Sequence, residues 1–193
     1  MDSDEPEPDS ITLHIFICVI LIILSAFFSA TETAFSSVNK TKLRTKAQEG
    51  HKGAKQALDL AENFDKVLST ILVGNNIVNI TLSSLCLIIF EQILSGNTNV
   101  AATVSTAVTT VLVLIFGEIT PKMIAKEKSY GATIVLGYPI RFFMIILWPI
   151  TFIFAGLKTL LKKIFKLEGE EKITEEELLT IVEEAQEDGA LNE

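Results

Sequence analysis

The chain has 193 residues, of which 49% are hydrophobic, and its mean hydropathy is +0.43. These values argue against an ordinary soluble domain and indicate a membrane protein. The formal net charge is −8, but the acidic residues concentrate at the two ends of the chain and the middle is basic. A basic middle with apolar runs suits contact with a lipid bilayer. No nucleic-acid motif is present, so we do not expect nucleic acid as a partner.

The first predicted element is a membrane span over about 11–36. Residues 1–10 are acidic and contain two prolines, which predicts a disordered tail. The run 11–31 that follows contains no Asp, Glu, Lys or Arg. It is long enough to cross the hydrocarbon core, which takes about 20 apolar residues in a helix.

The second half of this span carries a polar face. Its members lie four, seven and eight positions after the first, which places them on one side of a helix: Ser25, Ser29, Glu32 and Thr33. Such a face either lets two helices pack closely or lines an ion path. The carboxylate of Glu32 favours the ion path.

Residues 38–66 form a polar, basic segment that predicts a helical hairpin at the membrane surface. Gly50 and Gly53 separate its two helical halves. Because basic loops remain in the cytoplasm, we expect the hairpin to be cytoplasmic.

The second predicted span, about 67–91, contains three amides without any charged residue nearby. Asn75, Asn76 and Asn79 have a spacing that allows all three to face one side. They either form hydrogen bonds between helices or direct carbonyl oxygens at an ion such as Mg2+ or Na+.

The third predicted span covers about 100–120. A carboxylate and a proline stand at the end of its apolar run. Pro121 has no N–H for the carbonyl of Gly117, and its ring crowds that carbonyl. We therefore expect the helix to end or break here, with a bare carbonyl beside the carboxylate of Glu118. A hard cation accepts such oxygens.

A further apolar stretch, 130–157, is interrupted by Pro139, Arg141 and Pro149. Basic residues flank it on both sides, so a single crossing would violate the lysine rule. We predict a kinked juxtamembrane helix belt over about 130–165, on the cytoplasmic face. A fourth span is the alternative.

The segment 167–193 is predicted to be an acidic cytoplasmic helical segment. Thr174 and Glu177 form a capping-box signature for a helix that starts near 175. Because Glu193 follows so soon, we expect the natural chain to continue further. The whole transmembrane domain would then cover 11–166 in an all-α membrane protein with three spans.

Three blocks of this sequence resemble the signature blocks of the CorC / cyclin M (CNNM) magnesium transporter membrane domain. These blocks are 29–34 (SATETA), 74–79 (GNNIVN) and 116–122 (FGEITPK). The acidic segment 174–189 is similar to the stretch that leads into the regulatory domains of that family. The resemblance covers nearly the whole chain after the acidic N-terminal tail.

The resemblance implies a multi-pass cell-membrane protein, a homodimer, and Mg2+ export coupled to Na+ entry. It implies an extracellular N-terminus, three spanning helices, a juxtamembrane belt and a cytoplasmic C-terminus. The nucleotide-binding CBS modules usual in the family are absent from this sequence, so ATP binding is expected only through domains that this chain lacks.

The resemblance also implies one cation site per subunit. Carried over by position, its members are Ser29, Asn75, Asn76, Asn79, the Gly117 carbonyl and Glu118. Ser25 joins them from the polar face of the first span. Glu32 and Pro121 are secondary candidates.

Two functions follow from these residues. The first is a secondary transporter with Mg2+ as the transported ion and Na+ as the coupling ion. The alternative is a membrane sensor or interaction module that binds Mg2+ without moving it and reports through the acidic tail. We do not expect an enzyme, because no nucleophile and base pair or zinc motif is present.

Overall fold

The structure is a computed structural model that describes residues 8–94, 97–154 and 156. Its helices are α1 (Pro8–Ser37), α2 (Lys40–Gln48), α3 (Lys52–Glu62), α4 (Phe64–Ile93), α5 (Thr98–Leu112), a π-helix (Val113–Ile119), α6 (Thr120–Glu127) and α7 (Ser129–Ile146). The described residues contain no strand. Residues 148–154 are also helical.

Within the described residues, four helices are long and apolar enough to cross a bilayer, which confirms the prediction of an all-α membrane protein. They are Ile11–Ser37, Phe64–Ile93, Thr98–Glu127 and Ser129–Ile146. The fourth contains only 18 residues, so its length fits either a short span or a surface helix.

Helix α1 begins at Pro8, so the last three residues of the predicted tail are helical and that boundary is wrong. Proline is accepted in a first helical turn because the N–H that it lacks has no intrahelical partner there. The rest of the predicted tail, 1–7, lies outside the described residues. So do the end of the predicted belt beyond 156 and the acidic segment 167–193 with its capping box.

The predicted hairpin between α1 and α4 is confirmed as helices α2 and α3. Gly50 lies between them with φ 89°, a left-handed conformation that favours glycine. The caps of these two helices are not among the predictions from the sequence. His51 Nδ1 accepts the N–H of Ala54 at 3.2 Å, and Asn39 caps α2 in the same manner.

The third span does not end or break near Pro121, contrary to the prediction. It continues from Thr98 to Glu127 through the π-helix. Within the π-helix the N–H of Thr120 bonds the carbonyl of Ile115, five residues back. The wider π turn is a known way to continue a helix at a site where the regular ladder is disturbed, as it is here by proline.

Helix α1 is the central element of the described fold, since it contacts α4, the π-helix, α6 and α7. Phe28 of α1 is 1% exposed and packs edge-on against Phe27 and Phe143, with ring centroids 5.2 and 5.0 Å away. Gly74 of α4 lies against the same ring. A Cβ at position 74 would come within 2.7 Å of Phe28 Cε1.

Helix α7 packs on α1 and on the hairpin helix α3. Thr133 Oγ1 is 3.0 Å from the carbonyl oxygen of Ala34, near the end of α1. Gln56 of α3 donates a hydrogen bond of 3.1 Å to the carbonyl of Gly137. The first half of α7 is therefore held against the end of α1 and the hairpin helix α3.

We expect Gly74→Ala to lower the thermal unfolding temperature in detergent. The added methyl collides with a ring that two other aromatic rings hold in place, and overpacking of this kind costs about 1–3 kcal/mol. Gly131→Ala is the matched control, because a Cβ there meets nothing within 4 Å. An unfolding temperature of Gly74→Ala equal to that of wild type would contradict this close contact.

Candidate cation site

The centre of the candidate site is the hydroxyl of Ser25, which is fully buried on α1. Its Oγ lies 3.1 Å from Asn75 Oδ1 and 2.9 Å from Asn79 Oδ1, both on α4. The two amides are one helical turn apart, so their oxygens point at the same place. A serine hydroxyl has one hydrogen and can donate to only one of them at a time.

The π-helix adds a third wall through Gly117. This residue is buried, and a Cβ built on it would lie 2.8 Å from Ser25 Oγ. Only a glycine lets the π-helix approach the hydroxyl this closely. The structure therefore brings together four of the predicted positions: Ser25, Asn75, Asn79 and Gly117.

Ser29 lies one turn after Ser25 and is 1% exposed. Its Oγ has no hydrogen-bond partner among the described residues. Burying an unpaired hydroxyl costs about 1–3 kcal/mol, so such a group normally has a partner that protein atoms do not supply. An ion or a bound water is a partner of this kind.

The two carboxylates of the predicted site differ in their surroundings. Glu118 follows Gly117 directly, is half-buried, and forms no ion pair within the described part of the chain. Glu32 pairs with Lys122 of α6, with Oε2 and Nζ 3.1 Å apart. Glu118 is therefore the carboxylate whose charge is left without a protein counterion in the described residues.

Asn76 lies apart from this cluster. Its side chain is exposed and donates from Nδ2 to the carbonyl of Leu72 at 2.8 Å, within its own helix. The structure thus does not bring the third amide to the side shared by Asn75 and Asn79. Pro121, the other secondary candidate, is the second residue of α6 and offers no side-chain ligand.

The side-chain ligands that meet here are all oxygens, from the Ser25 hydroxyl and the amides of Asn75 and Asn79. The Gly117 backbone lies against them, and Glu118 is the next residue in the chain. Among the residues that the structure describes, no group of three or more His, Cys, Asp or Glu side chains could hold a metal ion. Neutral oxygens with one carboxylate suit hard cations such as Mg2+ or Na+, whereas zinc and copper favour nitrogen and sulfur. The residues present fit a hard cation such as Mg2+.

A second polar region, which is not among the predictions from the sequence, lies between α4 and α5. Its Ser and Thr residues line a cavity of about 300 Å3. The signal in the sequence was the repeated hydroxyl spacing in 105–110, opposite two adjacent serines at 83–84. Because Ser and Thr are common in packed membrane helices, that signal is weak.

Comparison with known proteins gives one family match and several relatives. A family model described as the cyclin M transmembrane N-terminal domain matches residues 16–193. A UPF0053 protein of Haemophilus influenzae is 36% identical over 184 residues, which cover 92% of this chain and 43% of the relative. The UPF0053 inner membrane protein YfjD of Escherichia coli is 32% identical over 170 residues, 84% of this chain and 38% of the relative.

The UPF0053 protein YrkA of Bacillus subtilis is 29% identical over 197 residues, which cover 94% of this chain and 45% of the relative. The chain thus spans less than half the length of each of these three curated relatives. The range of the family match, 16–193, includes the positions of all the candidate ligands.

Gly117→Ala should disrupt the cluster, because the new Cβ would lie 2.8 Å from Ser25 Oγ and displace it from the two amides. We expect a lower thermal unfolding temperature and weaker Mg2+ binding, measured by calorimetry on the detergent-solubilised protein. The double variant Gly117→Ala with Ser25→Gly removes the collision. It should recover part of the lost unfolding temperature, since the collision is gone but the Ser25 hydrogen bonds are lost and a glycine is added to α1, and it should not recover the Mg2+ affinity. No recovery of stability would show that the collision lies elsewhere.

Proposed function

The chain belongs to the cyclin M transmembrane N-terminal domain family, and from this membership and the oxygen cluster at Ser25 we propose that it transports Mg2+ across the cell membrane. The fold is that of a multi-pass membrane protein. We further propose that Mg2+ is exported and that Na+ entry drives the export. The protein would act as a homodimer, and each subunit would hold one Mg2+ site.

The observation that carries the proposal is the pair of amide oxygens directed at one hydroxyl. Asn75 and Asn79 present two acceptors to Ser25, which has one hydrogen to give. At any moment one of the amide oxygens lacks a donor. A cation between them would satisfy both oxygens, and Ser25 could turn its lone pairs toward the ion.

The charge of the site supports a divalent cation. Glu118 supplies one negative charge next to the cluster, whereas Glu32 is neutralised by Lys122. Mg2+ gives up water reluctantly and demands near-octahedral geometry. Ligands held on three helices by a backbone contact at Gly117 meet the need for rigidity.

We propose an extracellular N-terminus and a cytoplasmic C-terminus. The α2–α3 hairpin carries most of the basic residues between α1 and α4, so it should lie in the cytoplasm. Helix α7, which packs on α3 through Gln56 and Gly137, would then lie at the cytoplasmic membrane surface as a juxtamembrane belt. Alternating access would come from movement of helices around the fixed cluster.

A Mg2+ sensor that binds the ion without moving it is the second candidate function. The eleven acidic residues of 168–193 favour it, since they offer a weak site for divalent cations. Both functions require binding at the cluster, but only the transporter requires flux. Flux in liposomes therefore separates them.

Glu118→Gln should reduce Mg2+ flux in liposomes at least about tenfold, because it removes the charge that draws a dication into the membrane. The flux is measured with a Na+ gradient and again without one. Glu127→Gln is the matched control, because Glu127 is an exposed carboxylate at the end of the same continuous helix. Binding without flux in wild-type protein would favour the sensor.

The three asparagines should not contribute equally to Mg2+ binding. We expect Asn75→Ala and Asn79→Ala each to weaken the affinity about tenfold, a loss of about 1.4 kcal/mol. Asn76→Ala should have a smaller effect, because its amide faces away and bonds its own helix. Calorimetric titration of the three purified variants tests this order, and an effect of Asn76→Ala as large as the others would contradict it.

A further inference from the structure

The cavity between α4 and α5 is lined almost entirely by hydroxyl groups. Six of its eight lining residues are serine or threonine: Ser83, Ser84, Ser105, Thr106, Thr109 and Thr110. Among the residues that the structure describes, no charged side chain lines it. At about 300 Å3 it has room for an ion together with several waters.

Most of these hydroxyls already use their only hydrogen on their own helix. Ser83 and Ser84 donate to carbonyls of α4, at 2.9 and 3.0 Å. Ser105 and Thr106 both donate to the carbonyl of Ala102 on α5, at 3.1 and 2.8 Å. These oxygens can therefore offer only lone pairs to the cavity, and its lining is rich in hydrogen-bond acceptors.

Thr109 gives an independent indication of an occupant. It lines the same cavity and is 4% exposed, yet its Oγ1 has no hydrogen-bond partner among the described residues. A buried polar atom without a partner calls for a bound water or ion. Because its neighbours present acceptors, a cation satisfies the group as a whole better than an anion would.

We propose that this cavity binds Na+, and that it is the coupling-ion site of the proposed transporter. Neutral oxygens without a carboxylate fit a monovalent hard cation, whereas Mg2+ would lose more hydration than they replace. The role of this site in coupling rests on the proposed function, whereas the binding of Na+ to the cavity does not.

A direct path joins the cavity to the Mg2+ cluster. Ser83 in the cavity donates to the main-chain carbonyl of Asn79, whose side chain belongs to the cluster at Ser25. An ion that reorients the Ser83 hydroxyl thereby changes the hydrogen bonding of the residue that holds Mg2+. Coupling between two ions requires that occupancy of one site alter the other in this manner.

The first test measures the thermal unfolding temperature of the detergent-solubilised protein as NaCl replaces choline chloride at constant ionic strength, with KCl as a second comparison. We expect Na+ to stabilise the wild-type protein more than K+ or choline does. Thr109→Val, which removes one ligand at nearly unchanged volume, should raise the Na+ concentration for half of this effect about tenfold. Thr106→Val is the second variant if Thr109→Val does not fold.

Thr103→Val is the matched control. Thr103 lies on the same helix, is exposed, and donates to the carbonyl of Asn99 at 3.0 Å, but it does not line the cavity. Its Na+ response should equal that of wild type. Equal responses in Thr109→Val and Thr103→Val, or equal stabilisation by Na+, K+ and choline, would overturn the site.

Flux measurements separate this inference from the proposed function. If Na+ stabilisation depends on Thr109 but no Mg2+ flux occurs, the transport function fails and the Na+ site is supported. If Mg2+ flux occurs and its Na+ dependence is the same in Thr109→Val as in wild type, the transport function holds and the coupling site is wrong. If the Thr109→Val protein is monomeric at every Na+ concentration, the hydroxyl groups between α4 and α5 serve contact between subunits. That result would also overturn the Na+ site.

Discussion

The close approach of two helices onto α1 is the constraint on which the rest of the structure depends. Gly117 lies against Ser25, and Gly74 lies against Phe28, three residues further along the same face of α1. Neither contact leaves room for a Cβ at the glycine. With both neighbours held at backbone distance, the short side chains of α1 and α4 can reach one another. The candidate cation site exists because these helices are close enough for a serine to touch two asparagines.

Much of this fold could be predicted from the sequence, because apolar runs and charge-free stretches report directly on burial in a membrane. That Ser25, Asn75 and Asn79 have polar partners could be expected, because such groups are costly in hydrocarbon when unpaired. Their grouping at one site came from the family resemblance, together with the polar face of the first span. The π-helix could not be predicted, since the rule for proline assumes the four-residue ladder that a π turn abandons. Asn76 was misplaced for a related reason. Its spacing permits a shared side, but an amide on a membrane helix can also bond the carbonyl four residues back, and the sequence does not decide between the two.

Most hydroxyl groups of the α4–α5 cavity act as acceptors, because their hydrogens bond carbonyls of their own helix. When a Ser or Thr side chain donates to its own helix, its lone pairs remain free to face a cavity or a neighbouring helix. The membrane interior thus gains electronegative surfaces without the cost of burying charge. The Ser25 cluster differs in that its hydroxyl bonds another helix, which ties α1 to α4. Polar side chains therefore have two roles here. They link α1 to α4 at Ser25, and they present free acceptors in the cavity between α4 and α5.

The π-helix at 113–119 also has a consequence for helix register. A turn closed over five residues contains one residue more than a turn closed over four. Restoring the regular ladder would require that α6 turn by about 100° and slide by about 1.5 Å relative to α5. Glu118 lies inside this segment and Lys122 just after it. The π-helix therefore holds one extra residue next to the candidate cation site. A screw motion of α6 by one residue would take up this extra residue and move the charged side chains of Glu118 and Lys122.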